Sequence, residues 1–387
     1  MTATSPSRSP RVSRSGAADS PTAPPSRLTV VAEEPLCAET PLAELDSWIT
    51  PTDRFFIRSH FDIPKIDAEG WRLTIDGEVD RPLSLTLAAL RRERARTVVS
   101  TMECAGNSRS SVYPAAEGVR WRHGALGTAS WAGVSLGEVP AKVGIRPAAI
   151  EAVFEGADRG YEAEVPEELT YAMSVPLGKA MHPDTILAFE MNGEPLTPAH
   201  GFPVLVIVPG WYGMGSVKWV TRISLIDHSF RGYFRTHPYT FVHEGDDPNV
   251  LRKPVTSLQV KSVITSPSEG ATVSTGRIVV RGAAWSGGSA IARVEVAIGL
   301  PRDSGGERVW QSATILEPKA PHAWVRWELP VDLERPGYFV LRSRATDERG
   351  DTQRLRAECN FRGVANNSIH AVPLIVRRNP VDSRSTP

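Results

Sequence analysis

One cysteine stands out in the stretch TMECAGNSRS, which runs from Thr101 to Ser110. The chain has only three cysteines in 387 residues. The preceding RTVVSTMEC has the composition of a strand that ends at Cys104, and Gly106–Asn107 then signals a turn. Such a strand presents its last side chains at the rim of a sheet, where binding sites form. Arg109 follows closely enough in sequence to stabilise a thiolate at Cys104.

Four interpretations of Cys104 compete. A buried structural thiol would pack as a small hydrophobic side chain. A cysteine peptidase would need a histidine base and an orienting Asn or Asp, and no local signature of such a site accompanies the cysteine. A redox thiol would need a resolving partner, and the sequence does not place Cys37 or Cys359 nearby. A soft ligand to a metal held mainly by a non-protein cofactor needs only one cysteine, and this interpretation explains the pattern best.

Composition excludes several classes of protein. Lys plus Arg and Asp plus Glu both number 44, so the chain lacks the broad basic field of a nucleic-acid-binding protein. No apolar run approaches the roughly 18 to 20 residues of a membrane helix, so no membrane span is expected. Three widely spaced cysteines do not form a disulfide framework, which fits a reducing compartment or one where disulfides are not needed.

The first 27 residues are rich in Ser, Pro and Arg and predict a disordered tail. They contain neither an apolar secretory core nor an adjacent arginine pair, so we expect a cytoplasmic protein. An organelle transit peptide is the minority alternative, because its composition overlaps with that of this tail.

Residues 28–252 mix short strands, helical patches and Gly/Pro breaks, which predicts an α+β catalytic domain. The two-residue period of RFFIRSHF puts Phe56, Arg58 and His60 on one face of a strand. Asn192–Gly193 predicts a tight hairpin.

Residues 253–387 show short alternating segments between turns, the pattern of an all-β, Ig-like sandwich. We interpret the polar, aromatic segment before that sandwich, DHSFRGYFRTHPYTFVHEGDDPNVLRKP, as a linker.

Several long motifs in a consistent order resemble the sulfite oxidase family, and the likeness covers nearly everything after residue 30. MECAGNSR resembles the loop that supplies this family's cysteine ligand to molybdenum. The other segments that carry the resemblance are RFFIRSHFDIP, GVRWRHGALGTASWAGVSL, TYAMSVPLGKAM, AFEMNGEPLTPAHGFPVLVIVPGWYGMGSVKWVTRI, SVITSPSEGATVSTGRIVVRGAAWSGG and FRGVANNSIHAV.

The resemblance implies a molybdenum ion bound by molybdopterin, with Cys104 as the protein's own ligand to the metal. The positions that match the family's cofactor-binding residues are Arg58, His60, Cys104, His200, Ser216, Val217 and Lys218. A buried phosphate needs such fixed donors or cations.

The resemblance also implies oxidation of sulfite, or a similar small oxyanion, to sulfate. Arg58, Arg109 and Arg362 fall on the family's anion-pocket positions, and arginine offers planar, permanently charged donors for such a substrate. Tyr171 matches the active-site tyrosine, and Trp121 matches a pocket wall. Arg362 lies in the sandwich, so the pocket would form where two domains meet.

Partners are implied in the same way. The family resemblance predicts a homodimer. No haem-binding segment accompanies the two regions, so electrons would pass to a separate acceptor, either a cytochrome or oxygen.

The sequence departs from the family pattern at three positions. Ser108 and Leu205 stand where the eukaryotic members have arginines, and Ser59 replaces an asparagine. We expect the missing arginines to weaken the field that attracts an anion. Two alternatives therefore stay open: a related molybdenum oxidoreductase acting on nitrate or an S-oxide, and a non-catalytic anion-binding dimer.

Overall fold

The computed structural model describes residues 27–243, 245–247, 252–300, 309–358 and 360–379. Up to residue 236 the described chain forms β1 (Thr29–Ala32), β2 (Cys37–Glu39), β3 (Ile57–Arg58), β4 (Arg72–Gly77), β5 (Leu83–Thr86), α1 (Leu87–Arg91), β6 (Ala95–Glu103), β7 (Leu126–Ser135), β8 (Glu151–Glu162), β9 (Val165–Pro176), α2 (Leu177–Ala180), β10 (Ile186–Met191), β11 (Glu194–Pro195), β12 (Leu205–Ile207), β13 (Val220–Ile226) and α3 (Tyr233–Thr236). Short 3-10 turns lie at Leu42–Glu44, Thr52–Arg54, Arg109–Ser111, Leu136–Glu138, Pro140–Val143, Pro198–His200 and Gly213–Gly215.

These strands form three sheets. One sheet has the order β1-β2-β3, a second has the order β11-β10-β7-β6 with β12 also paired to β10, and a third has the order β5-β4-β13-β8-β9. In the third sheet β4 and β13 are parallel, and the other neighbours are antiparallel. The expected α+β region is therefore mostly β-sheet, and the α-helices among its described residues are only four or five residues long.

The later part of the chain is built from strands alone among its described residues. They are β14 (Lys261–Ser266), β15 (Thr272–Ser274), β16 (Gly276–Trp285), β17 (Ile291–Gly299), β18 (Trp310–Ser312), β19 (Thr314–Ile315), β20 (Val325–Leu333), β21 (Gly337–Asp347) and β22 (His370–Arg377). They form two sheets with the orders β14-β16-β20-β19 and β15-β22-β21-β17-β18. Side chains from both sheets, including Val296, Trp327 and Leu341, share one hydrophobic core.

The two parts of the chain meet through a continuous apolar interior. One core cluster contains Phe154 and Val206 from the first part together with Trp285 and Trp324 from the second. Backbones also touch directly, because a Cβ built on Gly210 would lie only 2.5 Å from the carbonyl oxygen of Gly287. The relative position of the two parts is therefore set by close packing.

Several local expectations can be compared with this fold. The hairpin at Asn192–Gly193 is confirmed, with φ values of 55° and 84°. The segment interpreted as a linker is more than a connection, because it contains α3 and buries Phe234. The expected tail, apart from Arg27, lies outside the described residues. Within the described part of the chain, no helix is both long and apolar enough to span a membrane.

Candidate active site

Cys104 lies immediately after β6, at the rim of its sheet. Its backbone N–H donates to the carbonyl of Ala125 at 2.9 Å, and its own carbonyl accepts from Asn107 N–H at 2.9 Å. The Asn107 side-chain oxygen accepts from Ala125 N–H at 3.2 Å, which closes the turn. Cys104 is 6% exposed and lines two cavities. Burial raises the pKa of Cys104, and the nearby Arg58 partly offsets that effect.

The two cavities meet at four residues: Arg58, His60, Cys104 and Tyr239. We call the first the inner cavity, which is further defined by Phe55, Trp131, Asp158, His200, Leu205 and Lys218. We call the second the outer cavity, which is further defined by Gly106, Arg109, Glu117, Trp121, Glu162 and Arg362. A thiolate at Cys104 would therefore face two different environments.

The inner cavity has aromatic walls and a few fixed polar groups. Lys218 Nζ donates to the Ala199 carbonyl at 2.9 Å and to Ser59 Oγ at 3.3 Å, and it lies 4.1 Å from the centre of the Trp219 ring. Burial lowers the pKa of Lys218, and Asp158 acts in the opposite direction. An anion near this ammonium would favour its charged form.

His200 and Ser216 shape the same cavity. Both ring nitrogens of His200 are used within the protein, by Thr197 Oγ1 at 2.8 Å and by the Phe55 carbonyl at 3.3 Å. Burial lowers the pKa of His200 to about 4, so the ring is neutral. Ser216 Oγ accepts from Val208 N–H at 3.2 Å, which leaves its O–H able to donate. Val217 does not line the cavity, and its carbonyl accepts from Val206 N–H at 2.9 Å.

Asp158 is an inner-cavity residue that the sequence analysis missed. It is 3% exposed, and its Oδ1 has no hydrogen-bond partner in the described protein. Burial raises the pKa of Asp158, while Lys218 lowers it. A buried, unpartnered carboxylate oxygen is costly unless a ligand supplies N–H donors, as a pterin ring does. The polar groups of this cavity therefore fit a pterin with a phosphate. An acidic residue within the strand sequence FEGADRG was the available signal.

Arg58 and His60 lie deep in the protein and are partly exposed on the cavity walls. Arg58 donates to the carbonyl of Ser59 and contacts Cys37 Sγ at 3.7 Å. Burial lowers the pKa of Arg58. The electrostatic effects of Tyr239, Cys37 and Cys104 act in the opposite direction and are larger, so the pKa of Arg58 is raised. Burial and the neighbouring Arg58 hold the pKa of His60 well below its ordinary value, so His60 is neutral.

Two tyrosines flank His60 with different roles. Tyr171 stacks on the imidazole with ring centres 4.2 Å apart, and its hydroxyl donates to the Met214 carbonyl at 2.8 Å. Tyr171 lines only the inner cavity. Tyr239 lines both cavities, and its hydroxyl lies 2.5 Å from His60 Nε2. Burial raises the pKa of Tyr239 to about 12. The sequence analysis missed Tyr239 because it lies in the segment interpreted as a linker.

Arg109 lies in a tight pocket on the wall of the outer cavity. Its Nη1 donates to the Val119 carbonyl at 3.0 Å, and its Nε donates to the Arg362 carbonyl at 3.3 Å. A Cβ built on Gly106 or on Gly118 would come within 2.9 Å of the guanidinium, so glycine at both positions leaves room for this placement of Arg109. Burial lowers the pKa of Arg109, and no carboxylate within the described residues forms an ion pair with it.

Arg362 reaches the outer cavity from the later part of the chain, and Trp121 forms part of the same wall. Three carboxylates, those of Glu117, Glu162 and Glu164, also line this cavity. Arg58, Arg109 and Arg362 are therefore together, as expected, but acidic side chains surround the cavity as well.

Two departures from the family pattern have different structural consequences. Leu205 lines the inner cavity, so the missing arginine there removes a cation from the cofactor side. Ser108 lines neither cavity, and its Oγ contacts Lys261 and His123 instead. Ser108 therefore makes no direct contact with the outer cavity, and the expected effect of this departure on the field there stays a prediction.

In the described parts of the chain, no cluster of three or more His, Cys, Asp or Glu side chains could hold a metal. One thiol beside a cavity with fixed polar groups is instead the arrangement of an oxidoreductase whose metal is carried by an organic cofactor.

Comparison with known proteins identifies the family. Residues 60–234 match the family model of the oxidoreductase molybdopterin binding domain, and residues 252–377 match that of the Mo-co oxidoreductase dimerisation domain. The chain is 35% identical over 370 residues to mitochondrial sulfite oxidase of Rattus norvegicus, a match that covers 89% of this chain and 65% of that protein. This chain thus spans slightly less than two thirds of the rat enzyme.

Two further relatives support the assignment. Sulfite oxidase of Gallus gallus is 35% identical, with coverage of 89% of this chain and 77% of that protein. The crystal structure of the sulfane dehydrogenase SoxCD from Paracoccus pantotrophus has a TM-score of 0.77 at 31% identity, covering 89% of this chain and 87% of that one. The chain belongs to the family of molybdopterin-binding oxidoreductases that includes the sulfite oxidases, whose cofactor is molybdenum held by molybdopterin.

Proposed function

We propose that this protein oxidises sulfite to sulfate and passes two electrons to a separate acceptor. The observation that carries the proposal is the convergence of Arg58, Arg109 and Arg362 on the cavity that contains Cys104. In the net reaction, sulfite and water give sulfate, two protons and two electrons. Three arginines beside one redox centre suit a small oxyanion at both the substrate and the product stage.

The inner cavity is the proposed cofactor site. Cys104 would supply the thiolate ligand to the metal, and Asp158 would accept hydrogen bonds from the pterin. Lys218 and Ser216 would donate to the phosphate, with His60 and His200 shaping the walls. The bound molybdenum cofactor supplies the oxygen-transfer and two-electron chemistry.

The outer cavity is the proposed sulfite site. Arg109 is already fixed by its bonds to two carbonyls, so little side-chain entropy is lost when it binds an anion. Arg58 lies at the junction of the two cavities and would hold the substrate next to Cys104. Tyr239 keeps its proton at neutral pH, and a hydrogen bond to neutral His60 holds its hydroxyl at the junction of the two cavities. With His60 Nε2–H as the donor of that bond, the Tyr239 hydroxyl would be free to donate to the substrate.

The later part of the chain is proposed to be an Ig-like dimerisation domain, and the active protein to be a homodimer. Its two sheets around one core and its match to a dimerisation-domain model support this proposal. A cytochrome or oxygen is the proposed acceptor. A cytoplasmic location is also proposed, and the buried free thiol of Cys37 is in keeping with it.

A second candidate function is reduction of an uncharged S-oxide. The carboxylates of Glu117, Glu162 and Glu164 favour it, because they oppose the entry of an anion into the outer cavity. Nitrate is less favoured by the same charges, although the NADH nitrate reductase of Ulva prolifera is 30% identical over 383 residues.

The test is an absorption titration of the oxidised holoenzyme with sulfite, without any acceptor. We expect a thiolate-to-metal charge-transfer band that one equivalent of sulfite bleaches. A band that survives sulfite would contradict sulfite oxidation, and reoxidation of the reduced enzyme by an S-oxide would then support the second candidate. A fully metal-loaded protein without the band would contradict the role of Cys104.

A further inference from the structure

A buried ion pair links the two parts of the molecule directly beside Cys104. Lys261 on β14 and Glu103 at the end of β6 have side chains only 2% and 1% exposed, with Nζ and Oε1 2.8 Å apart. Lys261 Nζ also donates to Ser108 Oγ at 3.0 Å. Glu103 and Ser108 are the two ends of the loop that carries Cys104, so one ammonium group connects both ends.

The oxygens of Glu103 are fully engaged by other donors. Its Oε1 also accepts from Asn107 Nδ2 at 3.0 Å, and its Oε2 accepts from Trp285 Nε1 at 2.9 Å. Trp285 belongs to β16, in the same sheet as Lys261. A buried ion pair is well supported only when further hydrogen bonds satisfy its remaining atoms, and this pair meets that condition.

Ser108 shows that the loop needs such support. Its φ of 70° and ψ of 16° place a non-glycine residue in the left-handed region, which persists only when its surroundings impose it. The Ser108 carbonyl accepts from Asn366 Nδ2 at 3.0 Å, and its hydroxyl contacts His123 Nδ1 at 2.8 Å as well as Lys261. The later part of the chain therefore holds this strained residue through Asn366 and Lys261.

We propose that Lys261 is a positioning residue for the Cys104 loop: it sets the direction of the thiol from outside both cavities. The proposal rests on the proposed role of Cys104 as metal ligand, but not on the identity of the substrate. Groups that orient a metal ligand contribute to affinity and activity without touching the metal.

The test compares thiol accessibility in the full-length chain prepared without cofactor. Lys261→Met keeps the side-chain length and removes the ammonium group. We expect alkylation of Cys104 at fixed pH, measured by peptide mass spectrometry, to become several-fold faster. Cys37, which is fully buried in a different sheet, serves as an internal reference and should keep its rate.

Arg326→Met is the matched control. Arg326 is also a buried cation between the two parts, donating to the Leu45 carbonyl and to Thr265 Oγ1, and it lines neither cavity. This variant should leave the Cys104 rate unchanged. An unchanged Cys104 rate in Lys261→Met, or equal acceleration of Cys104 and Cys37, would overturn the proposal, since the lysine would then contribute stability alone.

A double variant covers the case in which Lys261→Met does not fold. Lys261→Met combined with Glu103→Gln leaves no unpaired buried charge, so its fold should be retained. We expect Cys104 to remain more reactive than in the wild type, because nothing bridges Glu103 and Ser108. Complete restoration of the wild-type rate would show that only charge balance matters and would refute positioning.

The holoenzyme provides a second readout. We expect Lys261→Met, or the double variant, to shift the thiolate charge-transfer band and to lower kcat by roughly 10- to 100-fold, the usual cost of losing such a supporting group. Failure of sulfite to act as substrate would leave the alkylation result intact, so the two proposals can fail separately.

Discussion

The inner and outer cavities share Cys104 but are built on different principles. The inner cavity is formed by the first part of the chain alone, and burial there lowers the pKa of His200 to about 4 and raises that of Asp158. The outer cavity needs Arg362 from the later part and has carboxylates beside its arginines. A large ligand can be held by shape and a few fixed groups, whereas a small oxyanion must be held by charge.

This difference predicts that changes in the two cavities have separable effects. Inner-cavity variants should alter cofactor retention, and outer-cavity variants should alter the KM for substrate. Only residues at the junction of the cavities should affect both.

The largest effect is expected for Cys104→Ser at the junction. A hydroxyl is a far poorer soft ligand than a thiolate, so turnover with sulfite and the charge-transfer band should both be lost. The buried site accepts the slightly smaller side chain, and the circular dichroism spectrum should match that of the wild type. Full activity in this folded variant would remove the cysteine from the metal site.

The next largest effect is expected for Tyr239→Phe. Removing one hydrogen-bond donor from a reacting site costs roughly 100-fold in kcat, and Tyr239 faces both cavities. Tyr171→Phe is the matched variant and should cost much less, because its hydroxyl donates to a backbone carbonyl. Steady-state kinetics of both variants will decide which tyrosine serves the substrate. A larger loss in Tyr171→Phe would reverse our assignment.

Asp158→Asn tests the inner cavity alone. We expect the metal content that remains after dialysis to be about ten-fold lower than in the wild type, because a carboxylate acceptor for the pterin is lost. The KM of the loaded fraction for sulfite should stay unchanged. Glu164→Gln, which removes an outer-cavity carboxylate, is the control and should retain the cofactor fully. Equal metal loss in both variants would contradict the separation of the two cavities.

Arg362→Gln tests the outer cavity alone. Loss of one charged hydrogen bond to sulfite should raise the KM by about ten-fold, with metal content unchanged. Since the charge of Arg362 acts at short range in a half-buried site, added salt should reduce the difference in KM between the variant and the wild type only partly. An unchanged KM would exclude Arg362 from substrate binding.

The smallest effect concerns His370, which lies where the two parts of the chain meet, with its ring centre 4.4 Å from that of His123. Burial lowers the pKa of His370 to about 4, and Lys261 acts in the same direction. In the unfolded chain a histidine has a pKa of about 6.5, so on acidification it binds a proton at a higher pH than His370 does in the folded protein. The free energy of unfolding therefore falls as the pH drops from about 6.5 to about 4.

His370→Asn should lessen this acid sensitivity. The asparagine oxygen can accept the Ile264 N–H that His370 Nδ1 accepts at 3.0 Å, but it does not titrate. Thermal melts across that pH range measure the change, with the exposed His228→Asn as control. An identical acid loss in wild type and His370→Asn would assign the effect to other groups.

Much of the site could be predicted from residue type and local pattern. Cys104 is a rare residue at the end of a clear strand, and Arg58 and His60 share a face through simple alternation. Asp158 and Tyr239 could not be found in this way. The only local signal at Asp158 is an acidic residue within a strand, and the lack of a partner for its Oδ1 is visible only when its neighbours are in place.

The sequence by itself determined the family, the cofactor, the strands of the later part of the chain and most of the residues near Cys104. These follow from short-range pattern and from motifs that survive in linear order. Tertiary structure alone decided that Tyr239 faces the site, that Ser108 lies outside the anion pocket, and that Lys261 connects both ends of the Cys104 loop. The physical reason is that Lys261 is 158 residues from Glu103, and only the packing of the two parts brings their charges within 2.8 Å.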